Sequence, residues 1–236
     1  MPRFKRIMLK LSGEVFAGKR EFGIHKPTLD DIAKQIHEVA KLGIEVVIVV
    51  GGGNIWRYRD TKETAIERTA SDAMGMLATI MNSVALQSAL EAIGSETRVL
   101  SSIDVPQMAE PFIRRRALRH LEKGRVVICA GGTGNPYFTT DSAAALRALE
   151  LSCDVLLKGT NVDGVYDKDP RRFRSAKKYA EITFQEAIEK HLGVMDQAAF
   201  SLCEEKELPI VVFNFGKRGS LLAVARGEKI GTVVHA

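Results

Sequence analysis

The sequence is poor in several residue types and patterns that define whole classes of protein. Its 236 residues include three cysteines, and aromatic residues make up 6% of the chain. Cys129, Cys153 and Cys203 are widely separated in apolar surroundings, which predicts buried reduced thiols rather than disulfides. Neither the cysteines nor the histidines cluster with metal-ligand spacing, so a structural zinc site is not expected.

Long apolar runs are also missing. The longest uncharged apolar run, Val46 to Val50, is far too short to span a bilayer. Lys10 interrupts the first apolar run soon after it begins, so a signal peptide is not expected. No linker, repeat or low-complexity segment divides the chain. We therefore expect a cytoplasmic protein without a membrane anchor, folded as a single domain over residues 1–236.

A surplus of positive charge indicates anionic partners. The formal net charge is +5, which fits either a nucleic acid or phosphorylated small molecules. The most basic stretch, Arg114-Arg115-Arg116 with Arg119 and His120, lies on a predicted helix. Because aromatic residues are scarce, platforms for stacking bases are few. We therefore interpret this stretch as a solvated helix face.

Short apolar strands alternate with amphipathic helices along the chain. The predicted strands begin at Arg6 and then follow at Ile44–Val50, around Val99, and at Val126–Ala130, Val155–Lys158, Ile210–Asn214 and Thr232–Val234. The predicted helices are Thr28–Leu42, Ser71–Ile93, Phe112–Lys123, Ser142–Leu151, Phe184–His191, Ala198–Lys206 and Leu221–Arg226. Thr28 and Asp31 resemble a capping box. This order predicts an α/β fold, a three-layer αβα sandwich around a mainly parallel sheet.

Three predicted strands end in polar loops that contain glycine. The loops are Lys10-Leu11-Ser12-Gly13-Glu14, Gly51-Gly52-Gly53-Asn54, and the segment from Ala130 to Asp141. In an open α/β sheet, ligands bind beyond the carboxyl ends of the strands. Neither glycine-rich loop has the spacing of the dinucleotide fingerprint or of the Walker P-loop. A standard NAD or P-loop site is therefore not expected.

The segment from Ala130 to Asp141 is the richest in chemistry. It combines three glycines, three threonines, an asparagine and an aspartate where a strand ends and a helix begins. Glycine allows close approach of the backbone, and the free N–H groups of a helix start attract anions. These features predict a nucleotide or phosphate cradle, with a loop that merely turns the chain as the alternative.

A second irregular segment, Asn161 to Lys178, has turn residues and little periodicity. Arg171, Arg172 and Arg174 make it basic. Two interpretations remain open: the segment wraps a base or a ribose, or it is a surface loop.

With these residues assembled, the chain resembles the bacterial uridylate kinases of the amino-acid-kinase fold over essentially its whole length. The motifs that carry the resemblance are Lys10–Glu14, Gly51–Arg57, Asp72–Thr79, Thr133–Asp141, Val162–Tyr166 and Val194–Asp196. The first two occur across the wider fold family, whose substrates include carbamate, aspartate and acetylglutamate. The third and fourth are typical of the uridylate branch. The resemblance implies direct in-line transfer of the ATP γ-phosphoryl group, with Mg²⁺, to UMP, giving UDP and ADP in pyrimidine nucleotide biosynthesis.

The resemblance also implies roles for individual residues. Those expected near the reacting groups are Lys10, Asp141, Asp196 and Lys158. Those expected at ATP are Lys10, Leu11, Ser12, Gly13, Gly53, Arg57, Thr160, Asn161, Tyr166 and Asp169. Those expected at UMP are Gly52, Arg57, Asp72, Thr133, Gly134, Asn135, Pro136, Tyr137, Phe138, Thr139 and Thr140. Mg²⁺ would be carried by the nucleotide and held by Asp141 and Asp196 through water. Asp72 could also be a helix N-cap or a first-turn acid in addition to this role, and Asp141 or Asp196 could instead be a helix cap.

Regulators and assembly follow from the same resemblance. The segment Gly18-Lys19-Arg20-Glu21-Phe22-Gly23 would contribute to a site for GTP as a candidate activator, although Lys19 and Arg20 make it unusually basic. UTP would act as a feedback inhibitor at the acceptor site. A homohexamer built as a trimer of dimers is implied, with the Met-rich helix from Asp72 to Leu90 as a candidate dimer face. A plain core helix would have the same sequence.

Three rival hypotheses remain open. A different kinase of the same fold would keep the chemistry but change the acceptor. A non-catalytic binding or storage protein is the second, since the fold hosts a molybdate-storage relative and fold alone does not fix function. A nucleic-acid-binding role is the third.

Overall fold

The chain folds around a sheet whose strands run mostly parallel. The computed structural model describes residues 3–57 and 65–236, and within these ranges nine strands form one sheet. The strands are β1 (Arg6–Leu11), β2 (Glu45–Val50), β3 (Thr97–Ser101), β4 (Glu110–Pro111), β5 (Val126–Ala130), β6 (Val155–Thr160), β7 (Glu181–Thr183), β8 (Ile210–Asn214) and β9 (Thr232–His235). Their spatial order is β4-β3-β5-β2-β1-β6-β8-β9-β7. Only the β8–β9 pair is antiparallel among these described strands.

Helices connect the strands and cover both faces of the sheet. They are α1 (Glu14–Ala17), α2 (Lys26–Ala40), α3 (Arg68–Ala92), α4 (Arg114–Glu122), α5 (Thr140–Glu150), α6 (Phe184–Glu189), α7 (Gln197–Glu205) and α8 (Ser220–Ala225). Side chains alternate across each strand: Ile7, Leu9 and Leu11 join a core with α2, α3 and α8, whereas Met8 joins the opposite core with α4, α5 and α7. The predicted three-layer αβα sandwich around a mainly parallel sheet is therefore confirmed.

Burial explains why the central strands could be predicted. Every residue of β5 is buried, and so are the last five of β2, as expected for strands covered by helices on both faces. The short edge elements β4 and β7 and the single-turn helix α1 were not predicted, because two to four residues are too few to show a period. The three cysteines are free and buried, as predicted.

The predicted capping box at Thr28 and Asp31 is wrong. The helix α2 begins two residues earlier than predicted, at Lys26, and its N-cap is His25. Pro27 fits the first turn of a helix, where its missing N–H is not needed. Thr28 therefore lies inside the helix, and its hydroxyl contacts Nδ1 of His25 at 2.8 Å.

Helix α3 is the longest apolar element of the described chain. By length and composition it could cross a membrane, with a mean hydropathy of 1.3 over its most apolar window. No single apolar run revealed this, because polar residues such as Asn82 and Ser83 interrupt it. In the fold, Ile80, Leu86 and Leu90 pack into the core, while Leu77, Met81 and Val84 remain exposed. The helix is a core helix with one bare apolar stripe.

The arginine-rich helix α4 is solvated, as predicted. Arg114, Arg115 and Arg116 are exposed, while Ala117 and Leu121 carry its contact with the core. Two of its cations pair with carboxylates at the surface, Arg116 with Glu110 and Arg119 with Glu122.

Candidate active site

The predicted site residues meet at the carboxyl edge of the sheet. Neighbouring strands β5, β2, β1 and β6 end there, so the loops that follow them lie side by side. The loops after β1 and β2 are in direct contact: a Cβ atom on Gly13 would lie 2.5 Å from the backbone N of Gly53 and 2.7 Å from the carbonyl of Gly51. Glycine at position 13 therefore permits the two loops to meet.

A buried charge cluster stands at the strand ends. Lys10 on β1 and Lys158 on β6 are direct neighbours in the register of the two parallel strands. Asp141, in the first turn of α5, lies between them, with Oδ1 2.5 Å from Nζ of Lys10 and Oδ2 2.8 Å from Nζ of Lys158. Lys158 also donates to the carbonyl of Val194 at 2.6 Å. The sheet thus fixes two cations around one carboxylate.

Burial and neighbouring charges shift the pKa values of Asp141 and Lys158. Burial opposes ionisation of Asp141, but Lys10 and Lys158 outweigh it and hold the pKa of Asp141 below its usual value of 3.8. The pKa of Lys158 is lowered by burial and by the neighbouring Lys10, against the opposing attraction of Asp141. Two ammonium groups beside one carboxylate offer donors that suit a phosphate ligand.

Asp196 caps a helix beside this cluster. It is the N-cap of α7, and its Oδ1 accepts from the backbone N–H of Ala199 at 2.9 Å. The alternative in which Asp196 is a helix cap is therefore confirmed, whereas Asp141 is a first-turn acid of α5 and the cap is Thr139. The Asp196 carboxylate also accepts from the hydroxyls of Thr139 and Ser142.

A first cavity opens between α3 and the loop after β5. Its volume is about 420 Å³. The predicted UMP residues that line it are Gly52, Arg57, Asp72, Thr133, Asn135, Phe138, Thr139 and Thr140. Gly134, Pro136 and Tyr137 do not belong to its wall. Tyr137 is 65% exposed, and the guanidinium carbon of Arg68 lies 5.5 Å from the centroid of its ring.

Both carboxylate oxygens of Asp72 accept hydrogen bonds at this cavity. The residue is the fifth of α3. The N-cap of that helix is Glu67 and its first turn contains no acidic residue, so the interpretation of Asp72 as a cap or a first-turn acid is wrong. Its two carboxylate oxygens accept from Nε of Arg68 at 2.9 and 2.8 Å. Oδ2 also accepts the backbone N–H of Tyr137 at 2.8 Å. Asp72 therefore links α3 to the loop after β5.

Other residues of this cavity were not predicted. They are Trp56, Arg68, Ser71, Gly75, Met76, Thr79 and Gly132. Helical spacing could have identified four of them, because positions three, four and seven residues from Asp72 share its helix face. Thr79 has a further role, since its hydroxyl accepts the backbone N–H of Gly131 at 2.9 Å.

Two further cavities lie beside the charge cluster. The larger, about 890 Å³, is lined by the predicted ATP residues Lys10, Ser12, Arg57, Thr160 and Asn161. The second, about 500 Å³, is lined by Thr160, Asn161, Tyr166 and Asp169. Lys158 borders both. The irregular segment that begins at Asn161 thus forms a cavity wall.

Three predicted ATP residues lie behind the cavity surface. Leu11 is fully buried in the core. Gly13 is packed against the loop after β2. Gly53 contacts Arg57, whose Nε donates to its carbonyl. Arg57 itself borders both the 420 Å³ and the 890 Å³ cavities, and Glu14 lies 3.3 Å from its guanidinium.

The predicted GTP segment reaches the wall of the 890 Å³ cavity. Gly18, Arg20 and Glu21 line it, while Phe22 is 66% exposed. At the end of the segment, the N–H of Gly23 donates to the carbonyl of Asn54 at 2.7 Å. The side chain of Asn54 pairs in turn with the buried Asn82 of α3.

Comparisons with known proteins agree with this architecture. The model of the amino acid kinase family matches residues 5–214. The uridylate kinase of Cereibacter sphaeroides is 53% identical over 232 residues, which cover 98% of this chain and 94% of that protein. The uridylate kinase of Roseobacter denitrificans is also 53% identical, with coverage of 98% and 96%. The crystal structure of UMP kinase from Bacillus anthracis has a TM-score of 0.96 at 40% identity, covering 98% of this chain and 96% of that one. The chain therefore belongs to the amino acid kinase family, in its uridylate kinase branch.

Proposed function

We propose that this protein is a uridylate kinase, which transfers the γ-phosphoryl group of ATP to UMP and so supplies UDP for pyrimidine nucleotide biosynthesis. The observation that carries the proposal is a pair of cavities that share Arg57 and meet residues of one buried charge cluster. Lys10 and Lys158 line the 890 Å³ cavity, Thr140, which directly precedes Asp141, lines the 420 Å³ cavity, and Arg57 borders both. Such an arrangement suits two nucleotides whose phosphates meet in the middle.

The reaction needs positioning and charge stabilisation rather than a covalent intermediate on the protein. A phosphate oxygen of UMP attacks the γ-phosphorus of ATP, the bond from that phosphorus to the β,γ-bridging oxygen breaks, and ADP leaves with the electron pair. The attacking oxygen already carries negative charge at neutral pH. A general base is therefore not required, and the protein's task is to hold the two anions in line.

Lys10 and Lys158 supply the cationic environment for the transferring group. Both ammonium groups are largely buried, with side-chain exposures of 11% and 15%. Fixed charges in such a low-dielectric site stabilise developing charge more effectively than they would in water. Asp141 orients both ammonium groups. Arg57 offers a guanidinium that can bind phosphate oxygens from either nucleotide through two hydrogen bonds.

The two nucleotides are assigned by the chemistry of the walls. UMP occupies the 420 Å³ cavity, where the Thr133–Thr140 segment offers hydroxyls, an amide and backbone groups to uracil and Asp72 accepts from the ribose. ATP occupies the other side, with its phosphates near Lys10 and Ser12 and its adenosine against Thr160, Asn161 and Tyr166. A site that pairs the polar edge of uracil would reject bases with a different pattern.

Mg²⁺ fits this site as an ion carried by ATP. Both carboxylates near the reacting groups already have partners, Asp141 with two lysines and Asp196 with hydroxyl and N–H donors. The described residues contain no group of three or more His, Cys, Asp or Glu side chains that could hold a metal directly. Asp141 and Asp196 would therefore hold Mg²⁺ through water, which Mg²⁺ commonly retains. The ion would neutralise phosphate charge during transfer.

We further propose a cytoplasmic single-domain enzyme over residues 1–236 that forms a homohexamer from dimers. The bare apolar stripe of α3, formed by Leu77, Met81 and Val84, supports a dimer interface there, because such a stripe is unusual on a monomer. GTP as activator at Gly18–Gly23 and UTP as inhibitor at the UMP cavity remain proposals. Light scattering with and without Met81→Asp would test the assembly, since a buried carboxylate should dissociate the dimer.

An acceptor-specificity assay tests the function itself. Initial rates would be measured with ATP and each of UMP, CMP, carbamate and aspartate, with and without GTP. We expect UMP to be strongly preferred, and a higher rate with GTP. Preference for another acceptor would refute the assignment. Binding of UMP without turnover would instead favour a storage or binding protein.

A further inference from the structure

Ser142 carries a buried hydroxyl that none of the predicted roles uses. It is the third residue of α5 and is 3% exposed. Its Oγ lies 3.0 and 3.1 Å from the two carboxylate oxygens of Asp196. A serine near the start of one helix thus donates to the N-cap of another, 54 residues away in sequence.

Together with Thr139, Ser142 locks this carboxylate in place. Thr139 caps α5 by accepting from the backbone N–H groups of Asp141 and Ser142, at 3.0 and 3.4 Å. The same hydroxyl donates to Oδ2 of Asp196. Asp196 also accepts from the N–H of Ala199. Each carboxylate oxygen therefore has fixed donors, and the starts of α5 and α7 are held together.

The linked helix starts connect the acceptor cavity with Lys158. Thr139 lines the 420 Å³ cavity. On the other side, Val194, two residues before Asp196, accepts from Nζ of Lys158. Helix α5 packs on α7 next to this contact, and Cys203 of α7 is fully buried there. Its burial, together with the nearby charges of Asp141 and Asp196, raises the pKa of the Cys203 thiol to about 12. Hydrogen bonds in such surroundings are strengthened.

We propose that Ser142 is a positioning residue for phosphoryl transfer, which fixes Asp196 and through it the alignment of Lys158 with the acceptor loop. The proposal rests on the uridylate kinase function above. Ser142 does not line the acceptor cavity, so its hydroxyl affects the rate of transfer rather than the binding of UMP. Loss of the hydroxyl leaves Asp196 free to turn and lets the loop from Val194 to Asp196 shift, which misaligns Lys158.

The test compares Ser142→Ala, Ser142→Thr and a matched control. Ser95→Ala removes another buried serine hydroxyl, which lies 2.6 Å from Nδ1 of His37. Neither Ser95 nor His37 lines the cavities of the candidate site. We expect Ser142→Ala to lower kcat about 10-fold while the Kd for UMP, measured by calorimetry, stays within twofold. Ser142→Thr restores most of the rate because it restores the hydroxyl, and Ser95→Ala leaves kcat unchanged.

A double-mutant cycle with Asp196→Asn separates positioning from general stability. Because Ser142 acts through Asp196, Ser142→Ala should have little further effect on kcat in the Asp196→Asn background. A kcat within twofold of wild type for Ser142→Ala, or the same 10-fold loss in both backgrounds, overturns the proposal. If the wild-type protein fails to phosphorylate UMP at all, the proposed function falls first, and the two failures are thereby distinguished.

Discussion

The buried charge cluster and the acceptor cavity share one edge of the sheet, yet they are held in different ways. In the cluster, Lys10 and Lys158 project from paired strands, and Asp141 bridges them. In the acceptor loop, Gly131, Gly132, Gly134 and Tyr137 all have positive φ, and side-chain bonds to backbone hold the segment in place.

The difference fits the two functions that we propose for the cluster and the acceptor loop. Positions set by strand pairing resist displacement, which suits groups that must stabilise a transferring phosphoryl. A loop held by a few side chains can adapt to its ligand, which suits recognition of the acceptor. Mutations in the cluster should therefore lower kcat, whereas mutations in the acceptor loop should raise the KM for UMP.

Lys10→Ala should produce the largest effect. It removes one of the two buried cations that we propose to face the reacting phosphates, and we expect kcat to fall by about 10²- to 10³-fold. UMP binding, measured by calorimetry, should change little because Lys10 does not line the acceptor cavity. The exposed Lys41 offers a control, since Lys41→Ala removes a surface charge at the end of α2. Equal kcat values for wild type and Lys10→Ala would remove Lys10 from the reaction.

Asp72→Ala should affect the acceptor cavity rather than the charge cluster. It removes a carboxylate that anchors the N–H of Tyr137 and that faces the proposed ribose position. Hydrogen bonds to a charged group contribute about 1.5–3 kcal/mol, so we expect the KM for UMP to rise about 10- to 100-fold while the KM for ATP changes little. A fall in kcat with an unchanged KM for UMP would contradict the proposal that this cavity serves recognition of the acceptor.

The fold could be predicted largely because β2 and β5 show their burial directly in their sequences. Continuous apolar runs followed by glycine indicate central parallel strands, and these were found where expected. Helix ends were less accurate. Thr28 looked like a cap, but Pro27 and an extended His25 start α2 earlier, and this depends on local backbone geometry rather than on residue type alone.

The site could be predicted only in part, because sequence patterns do not give strand order. The resemblance identified Lys10 and Lys158, but their contact requires that β1 and β6 pair in register. Ser142 and Asp196 meet only because α5 packs on α7. By contrast, Arg68 lies four residues before Asp72 on one helix, so its pairing was within reach of helical spacing.

Two glycine substitutions, one beside the charge cluster and one in the acceptor loop, should have moderate effects. Gly13→Ala places a Cβ 2.5 Å from the backbone of Gly53, and we expect a loss of about 1–3 kcal/mol of stability through forced backbone shifts. Gly134→Ala places a Cβ at φ of 82°, 3.1 Å from the carbonyl of Ser102, with a strain of about 1–2 kcal/mol. Thermal unfolding and steady-state kinetics would be measured for both.

The two variants should differ in which of Tm, kcat and the KM for UMP they change. Gly13→Ala disturbs the junction of the loops after β1 and β2 and should lower both Tm and kcat. Gly134→Ala should raise the KM for UMP with a smaller fall in Tm, because the acceptor loop is stabilised locally. Gly94→Ala has open space but positive φ, and it reports the cost of backbone strain away from the site. Matching KM values for Gly134→Ala and wild type would show that the acceptor loop tolerates displacement.

The pH dependence of stability should give the smallest effect and concerns the cluster alone. Lys10 and Lys158 hold the pKa of Asp141 below its ordinary value of 3.8. A carboxyl with a depressed pKa stabilises the folded state fully above its unfolded pKa, and that contribution is lost as the pH falls through the folded pKa. Asp141→Asn removes this contribution and deprives the two buried lysines of the carboxylate they share. The difference in unfolding free energy between wild type and variant, from urea titrations, should therefore be largest near neutral pH and should narrow below about pH 4. If the difference in unfolding free energy stays constant with pH, Asp141 is not stabilised in its ionised form by the two lysines. The strand-end cluster would then depend no more on charge than the acceptor loop beside it.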